Sequence, residues 1–217
     1  MATIERIPDL FASIYEKATR MVLETYYDPV AEEVVSFLRE GTILDLGTGP
    51  GYLPIQIAKK SPSIRIDGID LGQKLIAMAR ANAIKADVSD RVNFEVGNAG
   101  KLRFEDDSYD MVLSTGMLHA LNDPVGVLRE CYRVLKPGGE TWIYDPARVS
   151  SYIDKKKYLA SLSFKEKIIS LLFGFYTKFN PPHSYNKEKV SGMIDQTDFK
   201  EYCIEEKGKE IRVQLTK

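Results

Sequence analysis

Five short runs of aliphatic, β-branched and aromatic residues punctuate the middle of the chain, and amphipathic stretches separate them. The runs are Thr42–Leu46, Ile64–Ile69, Val92–Val96, Met111–Ser114 and Thr141–Tyr144. Each is followed by turn-forming residues, which marks it as a strand. Gln73–Lys85 carries Leu75, Ile76, Ala79 and Ala83 at helical spacing. Pro124–Leu135 opens with a proline, whose missing N–H is harmless in a first turn, and stops before Lys136–Pro137–Gly138–Gly139. Strands alternating with helices require right-handed crossovers. The pattern therefore predicts an α/β fold, with a doubly wound, mostly parallel sheet covered on both faces.

The pattern changes towards the end. Phe199–Glu205 and Glu210–Leu215 are β-like runs joined by Glu206–Lys207–Gly208–Lys209. A linker this short predicts an antiparallel hairpin over 198–217. Two helical segments fall outside the alternation, one within 1–40 and one within 152–190. Both are placed to cover the carboxyl edge of the sheet, where ligands bind in such folds. Within the second, Ile168–Tyr176 is almost continuously apolar, with Lys165, Lys167 and Lys178 nearby. It reads as a buried lid helix, the lining of an acceptor pocket, or a contact of 165–178 with a membrane surface or a second subunit.

Composition narrows the function classes. A chain of 217 residues suits one domain. Its 30 basic and 31 acidic residues give no global field that favours nucleic acid. Cys131 and Cys203 form no CxxC pair, so neither a metal site nor a disulfide framework is expected, and a cytoplasmic setting suits reduced thiols. The first twenty residues lack the long apolar run of a signal peptide, and no stretch is apolar enough to span a bilayer.

The chemistry is concentrated in Asp45–Leu46–Gly47–Thr48–Gly49–Pro50–Gly51, between the first strand and a helix opening at Tyr52. Three glycines in five residues allow a sharp turn and close approach of backbone to a ligand. A dinucleotide fingerprint would need a further glycine at position 52 or 54, which hold Tyr52 and Pro54. Asp45 would repel a pyrophosphate and attract an amino or sulfonium group. The loop suits a cationic ligand.

This loop resembles the first motif of class I S-adenosylmethionine-dependent methyltransferases, (D/E)xGxGxG. Further matches follow in order: GIDLGQKLIAMARANA, VGNAGKLRFEDDSYDMV and LSTGMLHALNDPVGVLRECYRVLKPGGETWIYD. The chain is similar to the group that includes ubiquinone/menaquinone-pathway enzymes. The resemblance implies a Rossmann-like single domain over 1–217, with the cofactor core at 41–146. It implies S-adenosylmethionine as methyl donor, a small-molecule acceptor and in-line methyl transfer. Two other functions remain open on the residues alone: a non-catalytic cofactor-binding or partner-binding subunit, and a nicotinamide-dependent dehydrogenase.

By the same resemblance, Gly47, Gly49 and Gly51 line the methionine and ribose parts of the cofactor, and Asp45 faces its amino group. Asp70 accepts from both ribose hydroxyls, Leu71 packs on adenine, and Asn98 and Ala99 meet the adenine edge. Leu71 as core packing and Asn98 as a turn residue are the alternatives. Ser114 passes under the methionine moiety. His119 is a general base or a loop-holding side chain. Tyr15, Asp145 and His183 are candidate substrate contacts; lid packing, a turn and a solvated loop are their respective alternatives.

Overall fold

Strand β1 (Gly41–Leu46) occupies the centre of a seven-stranded sheet. In the computed structural model, which describes residues 5–146, 155–179, 183, 185–207 and 210–217, β1 pairs in parallel with β2 (Ile64–Asp70) on one side and β4 (Tyr109–Thr115) on the other. Strand β3 (Val92–Val96) extends the β2 edge, and β5 (Leu135–Pro146) lies outside β4. The tail is the expected antiparallel hairpin, β6 (Glu201–Lys207) and β7 (Glu210–Thr216), with β7 docked antiparallel on β5. The order is β3-β2-β1-β4-β5-β7-β6. It reverses direction between β1 and β4, which is where a doubly wound sheet opens a crevice at its carboxyl edge.

Alternation along the strands builds two cores. Ile43, Met111, Leu113 and Trp142 point to one face. Helices α2 (Asp28–Phe37), α3 (Tyr52–Lys60) and α4 (Gln73–Lys85) cover much of that face with Val30, Ile57, Ile76 and Ala79. Leu44, Leu46, Val112 and Ile143 point the other way, onto Leu128 and Val134 of α5 (Pro124–Val134) and Ile194 of α8 (Lys187–Ile194). Asp123 caps α5 by accepting from the Gly126 amide at 2.8 Å, and Asn186 caps α8 from Lys189 at 3.0 Å.

The Lys136–Gly139 breaker differs from its expected role. It lies inside β5 as a bulge: Leu135 pairs with Tyr109, and the register shifts before Met111 meets Glu140. Gly138 takes φ +79°, and the Lys217 backbone clamps the bulge with both its N–H and its carbonyl.

The N-terminal segment is α1 (Ala12–Met21), a π-helical turn (Leu23–Tyr27) and then α2. The second helical segment breaks at Leu162–Ser163 into α6 (Lys155–Ser161) and α7 (Phe164–Phe179). Ile169 and Phe173 of α7 pack with Phe11, Ile14 and Leu162. The opposite side of α7 stays exposed, so the apolar run is covered on one side only. Residues 147–154, 180–182, 184 and 208–209 lie outside the described residues. They take with them the start of the 152–190 segment and the tip of the hairpin turn. Among the described residues, no helix is long and apolar enough to cross a membrane.

Candidate active site

The loop after β1 is shaped by its glycines, but each for a different reason. Gly47, Gly49 and Gly51 all take positive φ, at 70°, 54° and 79°. A Cβ on Gly51 would sit 2.6 Å from the Phe94 ring and 3.0 Å from Ala79. This glycine lets α3 pack against the sheet. A Cβ on Gly49 would meet only the Tyr15 ring, at 3.6 Å, and one on Gly47 would strike the Met117 side chain at 2.9 Å. These two glycines face the crevice, between the lid on one side and the loop after β4 on the other.

Asp70 ties the crevice together. Its Oδ2 accepts from the Gly49 amide at 3.0 Å and its Oδ1 from the Gly72 amide at 2.7 Å. The expectation that both oxygens serve ribose hydroxyls therefore needs a physical amendment. Each oxygen already holds one backbone donor and keeps one lone pair for a second. Burial raises the Asp70 pKa above the ordinary carboxylate value, and the Gly72 and Gly49 amides oppose the shift.

Asp45 is the most exposed to penalty of any group in the site. It is 2% accessible, and Oδ1 has no hydrogen-bond partner among the described residues. Burial, opposed by the Thr48 hydroxyl and assisted by the Asp70 charge, pushes its carboxyl up to about 7. An orphaned carboxylate oxygen beside a glycine cradle fits a ligand that brings a cationic hydrogen-bond donor. The amino-acid end of S-adenosylmethionine is such a group.

Tyr15 of α1 sits against Gly49 and close enough to Asp70 that burial plus that charge push its phenol up to about 12. It lies on the glycine-loop side of the crevice, not over β4 and β5. Tyr52 of α3 donates to Glu16, which anchors α1 beside the loop. Tyr26 and Tyr27 are buried in the core. Leu71 is half-buried, and Ala99 is buried among Leu44, Ile69 and Leu102. Asn98 is exposed and its Oδ1 accepts from the Gly100 amide at 2.8 Å, an Asx turn that leaves the oxygen one lone pair. Ser114 is buried at the end of β4, and its hydroxyl has no hydrogen-bond partner among the described residues.

Sequence reasoning treated His119 and Asp145 separately; the fold joins them. Asp145, 4% exposed at the end of β5, accepts from His119 Nδ1 at 2.8 Å and from the His119 amide at 3.1 Å. The two stand 26 residues apart, on adjacent strand ends, and only the β4–β5 pairing reveals the contact. The His183 amide donates to the His119 carbonyl at 2.8 Å, and the Tyr185 and His183 rings lie 5.9 Å apart. Burial with the Asp145 charge raises the Tyr185 phenol. Tyr185 was not singled out from sequence, and nothing in its spacing marks it. Among the described residues, no group of three or more His, Cys, Asp or Glu side chains is placed to hold a metal.

Known proteins identify the family and the fold. A family model described as "Methyltransferase domain" matches residues 38–207. The ubiquinone/menaquinone biosynthesis C-methyltransferase of Geotalea daltonii is 26% identical over 90% of this chain and 85% of its own. The 27-O-demethylrifamycin SV methyltransferase of Amycolatopsis mediterranei is 38% identical over 50% of this chain and 40% of its own. In fold, the chain superposes on a Methanococcus maripaludis structure named for S-adenosyl-L-methionine-dependent methyl transfer. The TM-score is 0.74 at 23% identity, over 100% of this chain and 97% of that one. The chain thus belongs to the methyltransferase-domain family, as a Rossmann-like enzyme that uses S-adenosylmethionine to methylate a small molecule.

Proposed function

We propose that the acceptor is a small molecule bearing an ionisable hydroxyl, a phenol or hydroquinone, bound over the carboxyl ends of β4 and β5. The His119–Asp145 pair is the observation that carries this reading. When bound, S-adenosylmethionine supplies a methyl group on positively charged sulfur, already activated for displacement. What the chain must add is orientation, exclusion of water and removal of one proton. An ionised Asp145 only accepts, so it fixes the proton of His119 on Nδ1 and leaves Nε2 basic. Nε2 takes the hydroxyl proton, and the electron-rich oxygen or ring carbon then attacks the methyl. Similarity to a quinone-pathway C-methyltransferase over 90% of the chain supports the acceptor class.

On the donor side, Asp45 holds the amino group, Gly47 and Gly49 the methionine and ribose, and Asp70 the ribose hydroxyls. Leu71, Asn98 and the Ala99 amide meet adenine. Residues 41–146 form the cofactor core of a single domain, with 1–40 and 152–190 as its cover. His119→Asn tests the reading against a panel of phenols and hydroquinones. Turnover should fall about 100-fold or more, in the range for a lost general base, with affinity for S-adenosylhomocysteine unchanged. Full turnover in His119→Asn, or transfer only to acceptors with no acidic proton, would remove His119 from the chemistry.

A further inference from the structure

Helix α7 exposes large apolar side chains in an ordered way. Phe164 is 81% exposed, Leu171 77%, Phe175 64%, and Ile168 and Leu172 49% each. At 3.6 residues per turn these five fall within about 100° of the helix circumference. Lys167 and Lys178 fall along one border of that stripe and Lys165 along the other, all three exposed. The far side of the helix is the one that packs on the protein, through Ile169 and Phe173. The stripe therefore faces away from the molecule, edged with cations on both sides.

Charge is just as polarised. From Lys155 to Phe179 there are six lysines and one acid, Glu166, in a chain whose net charge is −1. Glu166 is already paired with Lys17 of α1 at 2.7 Å. The segment thus presents a concentrated positive field around an apolar ridge. A second copy of this chain would bring two such fields face to face, which Coulomb repulsion opposes. An anionic bilayer complements both properties at once: apolar side chains enter the acyl boundary, while lysines extend their stems and meet lipid phosphates.

We infer that α7 is a peripheral docking helix that seats the enzyme on an anionic lipid surface. The helix also touches the lid. The Phe173 and Phe11 rings are 4.9 Å apart, and Phe11 precedes the helix that places Tyr15 on the glycine loop. Docking through the outer face leaves that inner contact intact and puts the lid at the lipid boundary.

Vesicle co-sedimentation tests this without any methyl acceptor. Wild-type protein should pellet with vesicles of equimolar phosphatidylcholine and phosphatidylglycerol, release with added salt, and stay in solution with phosphatidylcholine alone. One lysine near an anionic surface contributes about a fivefold factor. The triple variant Lys165→Glu, Lys167→Glu, Lys178→Glu should therefore partition roughly 100-fold less. The double variant Phe164→Ser, Leu171→Ser should also lose binding. Both should keep the wild-type melting temperature and affinity for S-adenosylhomocysteine, because all five side chains are exposed. Failure of the wild type to pellet, or wild-type pelleting by either variant, overturns the inference. So does a concentration-dependent dimer that the double variant dissolves while the wild type ignores vesicles; the ridge would then be a self-interface.

Discussion

Asp45 should make cofactor binding release a proton. In the free protein, burial holds its carboxyl at about 7, against an ordinary aspartate value of about 3.9. A difference of about 3 units corresponds to roughly 4 kcal/mol. The sign follows from which form the fold disfavours. A raised carboxyl pKa means that the folded state resists the ionised form. The penalty is absent below about pH 3.9, grows between the two values, and is complete above about 7. A cationic group placed against the orphaned Oδ1 reverses this preference and returns the pKa towards its ordinary value. Affinity for S-adenosylmethionine or S-adenosylhomocysteine should therefore climb as pH rises from 5 to 7, and fall again above about pH 8 as the ligand's amino group loses its proton. The full effect is bounded at about 1,000-fold.

Calorimetry in buffers of different ionisation enthalpy counts the proton directly. At pH 6 the ligand's α-amino group is already charged, since such groups titrate at about 7.7–8.0. Release there reports on the protein. The wild type should give up close to one proton at pH 6. Asp45→Asn should give up none and bind more weakly. The same variant should gain stability at pH 8, because it no longer buries a charge. No net release by the wild type at pH 6, or equal release by Asp45→Asn, would refute the assignment of Asp45 to a cationic part of the ligand.

The two ends of the glycine loop should separate fold from binding. Gly51→Ala combines left-handed backbone strain with a clash against Phe94, and should lower stability by about 3 kcal/mol, or roughly 6–12 °C in a thermal melt. Gly49→Ala meets no clash, so it should lose about 1–2 kcal/mol of stability to backbone strain, yet still weaken cofactor affinity measured by calorimetry. Asp70→Ala removes two amide acceptors and should weaken S-adenosylhomocysteine binding at least about 10-fold, with hydrogen exchange rising at the Gly49 and Gly72 amides. Tyr52→Phe cuts the link to Glu16 and should speed proteolysis within α1 while leaving the global melt within a few degrees.

Much of the fold could be read from period alone. The five central strands lie where runs of β-formers stood, and α4 has the bounds Gln73–Lys85 that helical spacing assigned. The hairpin followed from linker length. What misled was context. Lys136–Gly139 has the composition of a free turn, but Tyr109 on one side and Lys217 on the other hold it as a bulge in β5. The apolar run of α7 left buried, pocket-lining and surface-contact readings open, because composition along a helix does not say how many sides are covered. At the site, the glycines and aspartate from Asp45 to Gly51 stood out because they are contiguous, and the fold sets them at the crevice. It did not locate the His119–Asp145 contact, because that contact is made by strand pairing and not by spacing.

The same distinction explains how the site divides its labour. Groups close in sequence, from Asp45 to Gly51, form a rigid frame whose geometry is set locally by positive φ and by Phe94 beneath Gly51. Groups distant in sequence reach the crevice from elsewhere in the fold: Tyr15 from α1, Asp145 from β5 beside His119, and His183 and Tyr185 from the segment before α8. Helix α1 meets the glycine loop through Tyr15 against Gly49 and Glu16 with Tyr52, and its outer side packs on α7. The turn with Tyr26 and Tyr27 and helix α2, which follow α1, are buried with the main core against the sheet. Through Phe173 against Phe11, α7 touches the element that carries Tyr15 to Gly49, so a surface acting on α7 is one helix away from the glycine loop.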